Sequence, residues 1–285
     1  MSKNDELIER IIQEILTEWQ KKRQPTDLDH QSCSGCGHCV SERPAAVRHI
    51  ADAGAQRITA TVGVGRNIDA AVAAMIDHTL LKPNATAREV EQLCAEAMEY
   101  GFYSVCINPT HIERCRILLE GSRVKVCTVI GFPLGANTTD TKSFEAKNAE
   151  SLGATEIDMV INIGALKDNQ LDFVKNDVAA VVNATSRGII TKVILENAYL
   201  STEEKIKGCL MAKAGGADFV KTSTGFGPTG ATLEDVALMR HVVGEQIGVK
   251  AAGGIRDTEM AVKMLKAGAT RIGASASVKI VTGTK

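Results

Sequence analysis

The chain has 285 residues, 44% of them hydrophobic and 24% charged, enough for one large domain or two small ones around a real core. Its 33 Lys and Arg against 34 Asp and Glu leave a formal charge of −1, so no electrostatic reason exists to expect nucleic acid or an anionic membrane as partner. No apolar run approaches the ~18 residues of a transmembrane helix. Asp5, Glu6 and Glu9, with no apolar stretch beside them, speak against a secretory signal. Eight cysteines in a chain of this kind imply free thiols in a reducing cytosol, not a disulfide framework.

Three segments differ in texture. In residues 1–23, Leu7, Ile8, Ile11, Ile12, Ile15, Leu16 and Trp19 recur at helical spacing against a face of Glu, Lys, Arg and Gln, which predicts an amphipathic helix. Residues 24–65 open with Pro25, hold Cys33, Cys36 and Cys39, and then thin out in apolar residues, the pattern of a linker. From residue 66 to 285 the texture is regular.

Eight apolar runs recur there at near-constant intervals: Ile76–Leu81, Ser104–Asn108, Lys125–Ile130, Glu156–Ile161, Thr191–Glu196, Ala217–Thr222, Val249–Ala252 and Arg271–Ala274. Most are rich in Val and Ile, as strands covered on both faces should be. Helical patterns separate them, for example Thr86–Tyr100 and Ser201–Ala214. Gly101, Gly121, Gly153, Gly215 and Gly268 stand where left-handed helix caps are expected. An α/β fold follows. A doubly wound open sheet shows the same alternation, but a count of eight favours a (β/α)8 TIM barrel.

In such a barrel, chemistry belongs to the C-terminal ends of the strands. Asp158 lies within EIDMVI, Lys221 closes ADFVK, and Lys250 precedes two glycines in VKAAGG. A buried charge is costly unless it is paired or used. A structural ion pair accounts for one such residue; two lysines on adjacent strands and a carboxylate across the barrel point to catalysis. Lys192, ahead of VILE, is expected on the opposite, stabilising end. A free lysine titrates near ~10.4 and is almost wholly protonated at neutral pH. Burial and a second ammonium both favour the neutral amine, which attacks carbonyls to form a Schiff base. A nearby carboxylate then relays protons. That is the constellation of a metal-independent, class I aldolase, a lyase with no cofactor.

Glycine-bearing loops follow the last three strands: Thr222–Gly225, Gly253–Gly254 and Gly273–Ser275. Each alone reads as a turn; together, beside the lysines, they predict convergent backbone N–H groups that hold a phosphate. Gly225–Gly230 also spells GxGxxG, the dinucleotide fingerprint. Pro228 removes a donor from it, and the next strand offers Lys250 where an acidic ribose partner belongs, so the match reads as accidental.

IDHTLLKP, VCINPTH, VIGFPLGA, EIDMVINIGALK, ADFVKTSTGFG, VKAAGGIRD and RIGASA, in this order over roughly residues 72–280, resemble the deoxyribose-phosphate aldolase family. The resemblance implies that Lys221 forms the Schiff base, that Lys250 perturbs it and that Asp158 serves in proton relay. It further implies that Asp77, Thr79 and Cys106 line the sugar pocket. Thr224, Gly225, Gly253, Gly254, Gly273 and Ser275 would hold the phosphate. The implied reaction is reversible cleavage of 2-deoxy-D-ribose 5-phosphate to D-glyceraldehyde 3-phosphate and acetaldehyde, by a homo-oligomer. Two departures stand out. Phe226 replaces a lysine that some members carry after TSTG, and the chain ends at Lys285 without the terminal tyrosine that some members use in proton transfer.

The extension is not needed by that family. Residues 1–20 are similar to the short helices that direct enzymes into bacterial microcompartments, which makes a shell protein a candidate partner; packing on its own barrel or oligomerisation remains the alternative. His30, Cys33, Cys36 and Cys39 have metal-ligand spacing, with an exposed thiol loop as the other reading. A rival function is a catalytically weak barrel that serves docking or metal binding, against which the intact Lys221, Lys250 and Asp158 set argues.

Overall fold

The computed structural model describes residues 3–23 and 70–283. The chain divides into two units, residues 1–62 and 63–285. In the first, the amphipathic pattern forms one helix, α1 (Lys3–Arg23). Ile12 and Trp19 are buried while Arg10, Gln13, Glu14, Thr17 and Glu18 are exposed, the one-sided burial that the stripe predicts. His30, Cys33, Cys36 and Cys39 lie outside the described residues.

The second unit is a closed barrel of eight parallel strands in sequential order. The strands are β1 (Ile76–Leu80), β2 (Ser104–Ile107), β3 (Lys125–Ile130), β4 (Glu156–Val160), β5 (Ile190–Ile194), β6 (Phe219–Lys221), β7 (Gly248–Ala252) and β8 (Arg271–Ala274). Closure by the β1–β8 pair, Asp77 opposite Gly273, excludes the open sheet. Six of the eight expected runs contain their strand, while β5 and β7 each begin one residue before the expected run. The largest difference is at β6, three residues long where six were expected: Ala217 and Asp218 precede the strand, and Thr222 already belongs to the loop after it.

Helices form where caps and apolar spacing agree. The helix Ala87–Tyr100 starts at a reciprocal capping box of Thr86 with Glu89 and stops at Gly101, φ 70°. The helix Thr202–Ala214 starts at the same device, Ser201 with Glu204. Each cap supplies roughly 1 kcal/mol by satisfying N–H groups that the helix leaves open. Gly215 is not the left-handed cap expected of it. It keeps a right-handed conformation, and Gly216 takes the positive φ of 88°. A Cβ on Gly215 would lie 2.7 Å from the Val178 side chain, so closeness to the neighbouring helix, not φ, demands glycine there.

Side chains alternate in and out along each strand. The outward set is the apolar layer under the helices, including Ile76, Val105, Ile157, Val193, Val220, Val249 and Ile272, all fully buried. The inward set holds the charged residues, beside a small cluster of Leu81, Cys106, Cys127 and Val129.

Candidate active site

Seven charged side chains fill the barrel axis: Asp77, Glu156, Asp158, Lys192, Lys221, Lys250 and Arg271, none more than 5% exposed. They persist only because they pair with one another. Asp158 on β4 is the hub. Its Oδ2 accepts from Lys221 Nζ and Lys250 Nζ, both at 2.8 Å, and its Oδ1 accepts from Lys192 Nζ at 2.7 Å. Lys250 also reaches Asp77 Oδ2 at 2.5 Å, and Lys192 reaches Glu156 Oε2 at 2.7 Å. Arg271 bridges Asp77 and Glu156 at 2.7 and 3.0 Å, with its guanidinium 3.4 Å over the Tyr103 ring.

Burial opposes each charge, and the partners overcome it. Lys192, Lys221 and Lys250 outweigh the desolvation of Asp158 and hold its carboxyl well below the usual carboxylate range. Arg271, Lys250 and Lys192 do the same for Asp77. Against its own burial, Lys250 is pushed up by Asp158 and Asp77, and Lys192 by Asp158, Cys127 and Glu156. Arg271 is likewise pushed up by Asp77 and Glu156. Four cations thus face three carboxylates, so release of one ammonium proton brings the set to neutrality. Lys221 is the amine of this set that reaches the open cavity.

Lys192 does not stand apart as expected. Register places it opposite Asp158 on β4 and Phe219 on β6, one inward layer below Lys221. The opposite end expected from its place ahead of VILE does not hold: register sets it level with Asp158, and its four-carbon stem carries the ammonium to the hub.

Above Lys221 a cavity of about 290 Å³ opens at the C-terminal end of the strands. Thr79, Lys221, Thr224, Gly225, Gly253, Gly254, Gly273 and Ser275 line it, together with Phe226 and with Lys82 and Arg256, which no sequence motif singles out. Asp77 and Cys106 are brought into the charged layer but not into this wall. Both are fully buried, and Asp77 is tied up by Lys250, Arg271 and Ser104 Oγ. Cys106 sits opposite Cys127, whose hydrogen bond draws its thiol pKa down. Cys106, Cys127 and Asp158 come within 4.8 Å of one another, yet the Lys192 ammonium already supplies the cation, 3.3 Å from Cys127 Sγ and 2.7 Å from Asp158 Oδ1.

Of the three glycines of GxGxxG, the first is required by its backbone conformation and the other two by packing. Gly225 has φ +90°. A Cβ on Gly227 would meet Glu196 Oε1 at 2.9 Å, and one on Gly230 would meet Gly253 O at 2.2 Å. Gly273 leaves room for Lys250, whose Cε would lie 3.0 Å from an added Cβ. Glu196, missed in the sequence, is buried just past β5 in the left-handed region at φ +55°. Its carboxylate accepts from both the backbone N–H (3.0 Å) and the hydroxyl of Thr224. Thr224 therefore anchors the loop from behind instead of offering those donors to the cavity. The place of Glu196 at the end of VILE, a charge beyond an apolar strand, is the signal the sequence offers for it.

Chemically, the site is an amine at the floor of a cavity, beside a carboxylate shared with a permanent ammonium, under loops with free backbone donors. A family model described as DeoC/LacD family aldolase matches residues 71–283. The chain is 63% identical to a deoxyribose-phosphate aldolase of Caldanaerobacter subterraneus subsp. tengcongensis over 212 residues, 74% of this chain and 92% of that one. It is 59% identical to a deoxyribose-phosphate aldolase of Clostridium perfringens (strain 13 / Type A) over 212 residues, 74% and 95% of the respective chains. The barrel is also similar to the tetrameric deoxyribose phosphate aldolase structure from Aeropyrum pernix, with TM-score 0.70 and 35% identity, covering 82% of this chain and 96% of that one.

Proposed function

The chain belongs to the DeoC/LacD aldolase family, and from that membership we propose that it cleaves 2-deoxy-D-ribose 5-phosphate reversibly to D-glyceraldehyde 3-phosphate and acetaldehyde through a Schiff base on Lys221. The observation that carries the residue assignment is the 2.8 Å contact of Lys221 Nζ with an Asp158 oxygen that Lys250 shares at 2.8 Å, at the floor of the cavity that Lys221 lines.

The neutral Lys221 amine adds to the C1 aldehyde of the open-chain sugar, giving a carbinolamine that loses water to the iminium. Deprotonation of the C3 hydroxyl breaks the C2–C3 bond. The bonding pair flows into the iminium, leaving an enamine on Lys221 and freeing glyceraldehyde 3-phosphate. Protonation at C2 and hydrolysis release acetaldehyde and the amine. Asp158 suits proton relay at the carbinolamine stage. The nitrogen is then uncharged, one of the three cations that hold the carboxylate ionised is gone, and its basicity rises. Lys250, clamped by Asp77 and Asp158, keeps its charge throughout. Backbone donors of Gly225, Gly253, Gly254 and Ser275 take the phosphate end. Borohydride reduction with acetaldehyde present, followed by peptide mass mapping, tests the assignment: an adduct on Lys221 supports it, and an adduct elsewhere with Lys221 unmodified refutes it.

The same proposal covers assembly and location. The tetramer of the Aeropyrum relative supports a homo-oligomer, which light scattering of the purified chain tests. The apolar stripe of α1 supports docking of residues 1–20 on a microcompartment shell protein, a sensible enclosure for a volatile, reactive aldehyde. Pull-down with shell protein, before and after Ile11→Glu with Ile15→Glu, tests that; undiminished binding refutes it.

A further inference from the structure

We propose that Lys82 is a specificity residue, the side-chain cation by which the cavity selects a sugar with a terminal phosphate over the same sugar without one. The inference rests on the aldolase reading above and concerns a residue on the loop after β1, not one of the phosphate loops.

The charged residues along the cavity wall are Lys82, Lys221 and Arg256; no carboxylate lines it. Lys221 is committed to the carbonyl end, beside Asp158. The loop after β6 brings Gly225 and then Phe226, which is 54% exposed and packs its ring edge-on against Phe132 at 5.5 Å, so that side of the mouth carries an apolar flank and no cation. A dianionic phosphate facing only backbone donors and this flank would be under-neutralised. Compensating charge has to come from the loops after β7 and β1. Lys82 stands on the second of these. β1 pairs with β8, His78 opposite Ala274, so the loop after β1 rises beside Ser275.

The base of Lys82 is fixed while its tip is unclaimed. Its carbonyl accepts from Ala85 N at 3.2 Å and from Asn108 Nδ2 at 3.3 Å, which ties the loop to the end of β2. No ion pair occupies its ammonium among the described residues; Glu89, the carboxylate it acts on, is engaged in the capping box with Thr86. A lysine whose backbone is tied down and whose side chain is exposed at the rim suits capture of a mobile anion. It does not suit a role in holding the fold.

The experiment compares wild type, Lys82→Met and Lys82→Arg on 2-deoxyribose 5-phosphate and on 2-deoxyribose, with inorganic phosphate as competitive inhibitor. Lys82→Met should raise KM for the phosphorylated sugar about tenfold, the size of one charge-assisted hydrogen bond, and weaken phosphate inhibition by a similar factor. The ratio of kcat/KM for the two sugars should fall about tenfold, and Lys82→Arg should restore most of it. An unchanged ratio in Lys82→Met, or an equal loss on both sugars, overturns the proposal. Should the wild type not cleave the sugar phosphate at all, the functional reading falls, and direct titration of phosphate into wild type and Lys82→Met still decides the role of Lys82: equal affinities refute it.

Discussion

The ammonium of Lys192 lies 2.7 Å from Oδ1 of Asp158, on the oxygen opposite the one that serves Lys221 and Lys250. It also lies 2.7 Å from Glu156, so a side chain well below the cavity neutralises two carboxylates and fixes the hub. Removing it by Lys192→Met leaves both carboxylates short of a partner in a dry interior. A loss of about 3–5 kcal/mol is expected, read as a lower urea midpoint. Lys192→Arg should recover part of the stability, and an unaltered midpoint in Lys192→Met would show that the pair contributes nothing.

Asp158→Asn keeps the shape and removes the charge. Turnover should drop by ~10²–10⁴, the range for loss of a positioned proton-transfer group, while borohydride still traps an adduct on Lys221. Single-turnover kinetics separate the two. Near-normal turnover would move the relay to another group.

Gly230→Ala tests a contact far from the amine. Its Cβ would meet the Gly253 carbonyl at 2.2 Å, backbone against backbone, so the turn at Gly253–Gly254 must shift. KM for the sugar phosphate should rise about tenfold or more as donors leave the anion site. The trapped adduct on Lys221 should survive. An unchanged KM would exclude that turn from phosphate binding.

His78 on β1 gives a pH dependence unrelated to catalysis. Burial lowers its pKa from 6.5, although Glu96 at 2.7 Å pulls the other way. The folded pKa is below the unfolded one, so the unfolded chain binds the proton more readily in between. Stability from this residue is therefore complete above the unfolded value and is lost as pH falls toward the folded pKa. Urea midpoints between about pH 7.5 and pH 5 should decline in wild type and decline less in His78→Asn. Equal slopes would assign the effect to other groups.

The strand order and most of the residues that line the cavity were legible because they depend on local signals. Runs of Val and Ile between capped helices report strands buried on both faces, and eight of them specify closure. Lys221 and Lys250 were recognisable as charges at the ends of apolar strands, and register brings them side by side. Gly215 shows the limit: its requirement comes from Val178, on another helix, and leaves no mark in its own neighbourhood.

What the sequence by itself determined was the alternation of strands and helices, the standing of Asp158, Lys221 and Lys250 as charges on otherwise apolar strands, and the aldolase motifs in order. Only the tertiary structure decided who neutralises whom. Lys192 joined the hub, and Asp77 and Cys106 were drawn away from the cavity wall. Glu196 turned Thr224 from an anion donor into a loop anchor, while Lys82 and Arg256 came to the mouth. The physical reason is that charge pairing acts through space over a few ångströms between residues far apart in the chain. Arg271 and Asp77 are 194 positions apart and 2.7 Å from contact to contact, a relation that no local pattern encodes.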